Sequence, residues 1–331
     1  MASQANAVGA TERGARPRLS ARARAHPWAD AAHYRLLQIL AVAVLVTVAL
    51  IAWETLTGAF PAMRAYGLRF LLGTEWDPVA EHFGALPYLY GTLMSSALAL
   101  LLALPLGLGT AVYLAELAPP RVGSVVAFVV ELLASIPSIV YGLWGLFVLA
   151  PFLRAWAEPW LIAHLGFLPL FRGAPFGIGM LNAAIVLAVM IVPTIVSISR
   201  EILLSMPRAL RESALALGAT RAEAIAVTFD AARPGILGAV ILALGRALGE
   251  TMAVTMVIGN TNRISASLLA PGATMASVIA NEFSEATSKL HLSALIEIAF
   301  VLLTVTMLVN ACARVLVIWS TGGRRDVAGA A

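Results

Sequence analysis

Six stretches of this chain, 36–53, 93–113, 125–152, 178–198, 235–258 and 298–319, are so nearly free of charge that each reads as a helix crossing a bilayer. A hydrocarbon core takes about 20 helical residues to span. Within it every backbone N–H and C=O needs a partner in the protein, which leaves only helices or closed barrels. Barrel strands alternate polar and apolar residues over about ten positions. The six runs are longer and continuously apolar, so the expectation is an all-α integral membrane protein with six transmembrane helices. Only 12% of the 331 residues are charged and 60% are hydrophobic, about half the charge that a soluble globule carries.

On this pattern the chain divides into a basic, disordered cytoplasmic tail (1–33), a first transmembrane helix (34–57), an extracytoplasmic connection (58–88), a five-span core (89–320) and a short C-terminal tail (321–331). Threading the spans from a cytoplasmic N-terminus leaves fifteen Lys and Arg residues inside, Arg314 near the inner end of the last run counted among them, and six outside, with Arg246 alone near the middle of a span. Cytoplasmic loops keep the excess of basic residues, so both termini are expected to be cytoplasmic. The first span lacks a following small-residue cleavage site and reads as a retained helix, not a signal peptide.

Several chemistries lack their residues. The one lysine, Lys289, is followed by Leu290, so no Walker loop ends in Gly-Lys-Ser/Thr. His26, His33, His82, His164 and His291 show no metal-ligand spacing. The single cysteine, Cys312, excludes an intramolecular disulfide and reads as a small apolar residue of the last span. There is no G-x-S-x-G elbow, and no nucleic-acid partner is expected. The chain is expected not to be an enzyme and to hold no cofactor or metal of its own.

Against this background the stretch ALGRALGETMAV at 243–254 is anomalous. Arg246 falls near the middle of the fifth run and Glu250 four residues on, on one face and about 6 Å further along a continuous helix. Either side chain is costly against lipid, about 2.5–3.5 kcal/mol at a helix centre. They are expected to face protein or water. One reading is a structural ion pair, with Gly245-x-x-x-Gly249 allowing close helix approach. The other is an anion site, in which the planar guanidinium fork matches an oxyanion and the carboxylate restrains the fork or accepts a proton.

Two further polar positions invite the same comparison. Glu131, two turns into the third run, reads either as a solvated acid or as a group lining an inward vestibule. Pro137 removes a ladder hydrogen bond from that run, giving either a packing kink or a gating hinge. Gly142 and Gly145, beside Trp144, read as close packing against another helix.

Between the fourth and fifth runs lies a long polar segment, 200–234. Pro207 can open a helix, strong helix formers fill 209–217, and Gly218 suits a helix C-terminus. A second short helix is expected over 221–228, with Arg233-Pro234 restarting the membrane span. Small residues at Ser213, Ala214 and Gly218 make this pair a knob able to enter a cleft. Composition equally permits an amphipathic helix lying on the lipid.

ESALALGAT at 212–220 resembles the EAA loop of ABC-importer permeases, with Glu212, Ala214 and Gly218 at the family's spacing and Ser213 in place of the usual first Ala. Phe229-Asp230 stands where that family has Leu-Pro. FGALPYLYGTLMSS (83–96), ELLASIPSIVYGLWGLFVLAPFL (131–153) and GRALGETMAVTMVIGN (245–260) together resemble the C-type permease family (PstC) of bacterial high-affinity phosphate importers. The resemblance implies a type I, MetI-like permease of the bacterial inner (plasma) membrane, with phosphate as cargo. It implies an A-type permease (PstA-like), a dimer of ATP-binding subunits (PstB-like) that uses ATP and Mg, and an extracytoplasmic phosphate-binding protein (PstS-like). It also implies that Glu212, Ser213, Ala214 and Gly218 dock on the ATPase and that Arg246 and Glu250 are transport residues. The alternatives are a permease for sulfate, molybdate or phosphonate, or a stand-alone anion transporter or channel. The latter would need no docking loop and would show inverted repeats.

Overall fold

A computed structural model describes residues 27–322. The chain forms two compact units, Met1–Trp53 and Glu54–Ala331. The first consists, in its described part, of the start of helix α1 (Pro27–Tyr66), apolar and almost uniformly exposed. Most of the basic tail and the last nine residues lie outside the described residues.

In the second unit α1 ends at Gly67, whose positive φ of 55° stops the helix. Next come α2 (Arg69–Leu72), a small hairpin pairing Trp76 with Phe83, and α3 (Leu86–Val112), extended by a π-helical turn to Leu117. Then follow α4 (Pro120–Ser135), α5 (Ser138–Trp144), α6 (Ala150–Phe152) and α7 (Glu158–Leu165), the last three joined by π-helical turns into one rod. The chain closes with α8 (Met180–Ser205), α9 (Arg208–Ala216), α10 (Arg221–Leu248), α11 (Met252–Val257), α12 (Met275–Glu282) and α13 (Lys289–Gly322).

Six helices are long and apolar enough to cross a membrane: Ala32–Tyr66, Leu86–Leu117, Ser138–Leu165, Met180–Ser205, Arg221–Leu248 and Lys289–Val315. The expected number stands, but three boundaries are corrected. The first helix continues past 57 to Tyr66. The third apolar run is split at Ile136-Pro137, so the spanning rod begins at Ser138. The fifth span begins at Arg221 rather than after Pro234, because Pro234 is accommodated inside one continuous helix. A proline removes a donor from the ladder, and here the packing of Ala232 and Ile236 against Leu203 on either side of Pro234 holds the helix through it.

The centre of the unit is α8, the most buried of the spanning helices, packed along α3. Small residues make that approach possible: Ala99 and Ala103 are fully buried, and a Cβ at Gly107 would lie 2.8 Å from Ile195. A second cluster ties Phe83 and Tyr88 to Met275 and Leu295. It fixes the starts of α3 and α13 at the same end of the bundle. At the opposite end Leu203, Ala232 and Ile236 form the foot, beside which α9 sits.

Gly91 measures how tight this packing is, since a Cβ there would stand 2.0 Å from the backbone oxygen of Ala273. Gly91→Ala is therefore expected to destabilise the folded chain by about 1–3 kcal/mol, read as a lower melting temperature in detergent. An unchanged melting temperature would mean that the backbone at Ala273 moves aside without cost.

Candidate functional site

Arg246 lies in the last turn of α10, two residues before its end, and Glu250 lies outside that helix. Gly249 (φ −93°, ψ 1°) closes α10, and the chain passes through Glu250 and Thr251 before α11 begins. Glu250 Oε1 accepts a hydrogen bond from the Ala253 N–H at 3.2 Å, capping α11. The expected i,i+4 pairing on one helix is thus corrected: a helix break separates the two side chains, and among the described residues no ion pair joins them. Gly249 contributes the break instead of a helix contact. Discontinuous helices of this kind occur in membrane proteins where the freed backbone lines a cavity or is buried in protein.

Arg246 instead donates to Thr194 Oγ1 of α8 at 3.4 Å and forms one wall of a cavity of about 710 Å³. From α10 the walls are Gly238, Ile241, Leu242, Gly245 and Arg246, spaced as one face of a helix. The facing helix contributes Thr306, Asn310 and Arg314, again one face at intervals of four. The cavity therefore holds two guanidinium groups and no carboxylate among its lining residues. Such a groove offers an anion forked donors, with Arg246 half-buried in it and Arg314 exposed at its edge.

Glu131 lies apart from this chamber, exposed on α4. Pro137 marks a full break rather than a kink: Ile136 and Pro137 are extended, with ψ of 130° and 139°, before α5 starts. The carbonyls this leaves free are taken up locally. Ser135 Oγ donates to Leu132 O at 2.7 Å and Tyr141 Oη to Leu133 O at 2.7 Å. Gly142 and Gly145 do make close contacts, with α11 and α8 of this chain: added Cβ atoms would come within 2.9 Å of Ala253 and 2.7 Å of Val186. Asn182, fully buried, donates to Gly145 O and to Gly177 O, satisfying a carbonyl of the π-helical turn that sequence periodicity does not reveal.

The segment before α10 forms the expected helix and turn. Pro207 precedes α9, and Gly218, with φ of 87°, ends it in a conformation that L side chains rarely adopt. Thr220 and Glu223 then make a reciprocal capping box that starts α10. The expected second short helix over 221–228 is the first part of α10 and not a separate element. Glu212, Ser213 and Gly218 are exposed, Ala214 is half-buried, and Leu217 projects at the tip with 90% of its surface open.

A contact that the sequence reading missed anchors this knob. Arg211 of α9 forms an ion pair with Glu116, whose side chain is only 1% exposed at the end of the α3 extension. The partners are ninety-five residues apart; the one available signal was an isolated acid in the apolar run AVYLAELAPP. Removing one partner of a buried pair strands the other charge. Arg211→Glu, which sets two carboxylates together, is expected to detach α9 from α3 and be detected as increased protease cleavage in 208–220. Adding Glu116→Gln should reduce that cleavage, since it removes the like-charge contact.

Residues 103–319 match the protein family described as binding-protein-dependent transport system inner membrane component. The chain is 44% identical over 290 residues to the "Phosphate transport system permease protein PstC" of Mesorhizobium japonicum, covering 86% of this chain and 89% of the relative. It is 41% identical over 295 residues to the protein of that name from Haemophilus influenzae, covering 88% and 93%. Among solved structures, a chain of the inward-facing MetNI methionine ABC transporter is similar in fold, with a TM-score of 0.51 and 18% identity, over 75% of this chain and all of that one.

Proposed function

The chain belongs to the binding-protein-dependent transport system inner membrane component family, and on that premise we propose that it is the permease subunit of an ATP-driven phosphate importer, forming half of the translocation pathway. The observation that carries the cargo is the 44% identity over 86% of the chain to a phosphate permease. The chamber fits that cargo: Arg246 has no carboxylate partner among the described residues and faces a cavity of about 710 Å³ in a multi-pass inner-membrane protein. In this reading Arg246 meets the oxyanion. Glu250 holds the start of α11 beside it.

The chain is a transport subunit and not an enzyme. Its partners are a second, A-type permease, two ATP-binding subunits that use ATP and Mg, and an extracytoplasmic phosphate-binding protein that supplies affinity. Both termini and α9 face the cytoplasm. Closure of the ATPase dimer presses on Glu212, Ser213, Ala214 and Gly218, and the Arg211–Glu116 pair passes that motion to α3. The break at Pro137 supplies a hinge between α4 and α5.

Reconstitution tests this assignment. The chain alone is expected neither to hydrolyse ATP nor to drive uptake, and addition of the three partner types is expected to give ATP-dependent phosphate uptake into vesicles. Uptake by the chain alone under an ion gradient would overturn the importer reading. Stimulation of ATP hydrolysis by sulfate, molybdate or a phosphonate, but not by phosphate, would reassign the cargo.

A further inference from the structure

We propose that Asn310 and Arg314 form a second station for the transported oxyanion, between Arg246 and the end of the bundle that carries α9. This rests on the reading of Arg246 as an anion contact. Direction follows from the packing: α13 starts beside the start of α3, whereas α10 starts at the opposite end, where Arg221 shares a small cavity with Glu116 and Arg211. The two helices are therefore antiparallel. Their common level is set by Gly245, where an added Cβ would lie 3.6 Å from the Asn310 amide. Arg314 is one turn beyond Asn310, about 6 Å along α13, toward the end that carries α9.

The chemistry along this line is unspent. Asn310 Oδ1 is buried without a hydrogen-bond partner, and the amide makes no hydrogen bond to the described residues. Arg314 has no ion pair among them. Gly238, on the α9 side of the Arg314 level, leaves the wall there open: nothing lies within 4 Å of an added Cβ. Arg246, Asn310 and Arg314 thus line one continuous chamber with two positive charges, donors from an amide, and no acid. Hydrogen phosphate, which accepts through its charged oxygens and donates through its hydroxyl, answers both the guanidinium forks and the buried Oδ1 acceptor of Asn310. An ion also leaves a pathway readily only if each contact is weak and several follow in series; a single tight site at Arg246 would retain the anion.

The test uses the full complex in vesicles, with Arg246→Gln as the reference. Arg314→Gln is expected to lower ATP-driven phosphate uptake about tenfold in complexes purified intact, and Arg314→Lys to keep most of it, since release needs charge more than a fork. In a Cys312→Ser background, Arg314→Cys is expected to regain uptake on reaction with aminoethyl methanethiosulfonate, which restores a cation, and not with the neutral methyl reagent. Inorganic phosphate should slow that reaction. Normal uptake by Arg314→Gln while Arg246→Gln is defective would overturn the second station alone, and so would equal recovery with both reagents, which would make Arg314 a matter of bulk. Normal uptake by Arg246→Gln would overturn the reading on which this proposal rests.

Discussion

Replacing Arg246 with glutamine is expected to leave the importer assembled and to reduce ATP-driven phosphate uptake about a hundredfold, the scale seen when one donor to a bound oxyanion is removed. Arg246 holds no acid, so its loss strands no opposite charge. Its hydrogen bond to Thr194 is a long one at 3.4 Å, so losing it costs the fold little. Folding should therefore survive where transport does not. Arg246→Lys should also be impaired, because a point ammonium cannot present two parallel donors to an oxyanion. Glu250→Gln keeps an oxygen to accept the Ala253 N–H, so it should assemble and lose less uptake than Arg246→Gln. The double change, Arg246→Gln with Glu250→Gln, should be as defective as Arg246→Gln. Near-normal uptake by the double variant would return both residues to a purely structural role.

Gly218→Asp should abolish stimulation of the ATPase while membrane insertion stays normal and the melting temperature falls slightly, from the strain of a side chain at φ 87°. The tip of the α9 turn is unusually suited to this test. Nothing within this chain lies within 4 Å of an added Cβ at Gly218, so the new side chain cannot clash internally. Aspartate is also among the residues that enter the left-handed region most readily. A large loss of coupling would then point to a surface outside the chain, the partner cleft proposed to receive α9 and the exposed Leu217. Retained stimulation would show that the partner does not close over residues 212–218.

The break between Arg246 and Glu250 illustrates why parts of this molecule were legible in the sequence and parts were not. Hydropathy summed over about 20 residues decides whether a segment enters lipid, and that sum is local; hence six spans were readable and six are present. Where the helices stop inside those spans is not local. Summed over a span, hydropathy stays high through Gly249 and through Ile136-Pro137, yet both points are breaks, because freed backbone groups find partners such as the Glu250 carboxylate and the Tyr141 hydroxyl. Pro234 shows the reverse, a strong breaker carried inside a helix.

From the sequence by itself came the membrane class, the number of spans, the helix and glycine turn at 208–218, and the presence of an Arg and a Glu inside an apolar run. Short-range rules suffice for each of these: hydrophobic sums, helix propensity, the freedom of glycine at positive φ. Only the tertiary structure decided that Arg246 and Glu250 part company, that Glu116 answers Arg211 across ninety-five residues, and that Asn310 and Arg314 come to stand along the same chamber as Arg246. Which helix faces meet depends on packing small residues such as Gly107 and Ala103 against α8, a condition on the whole bundle that no window of sequence contains.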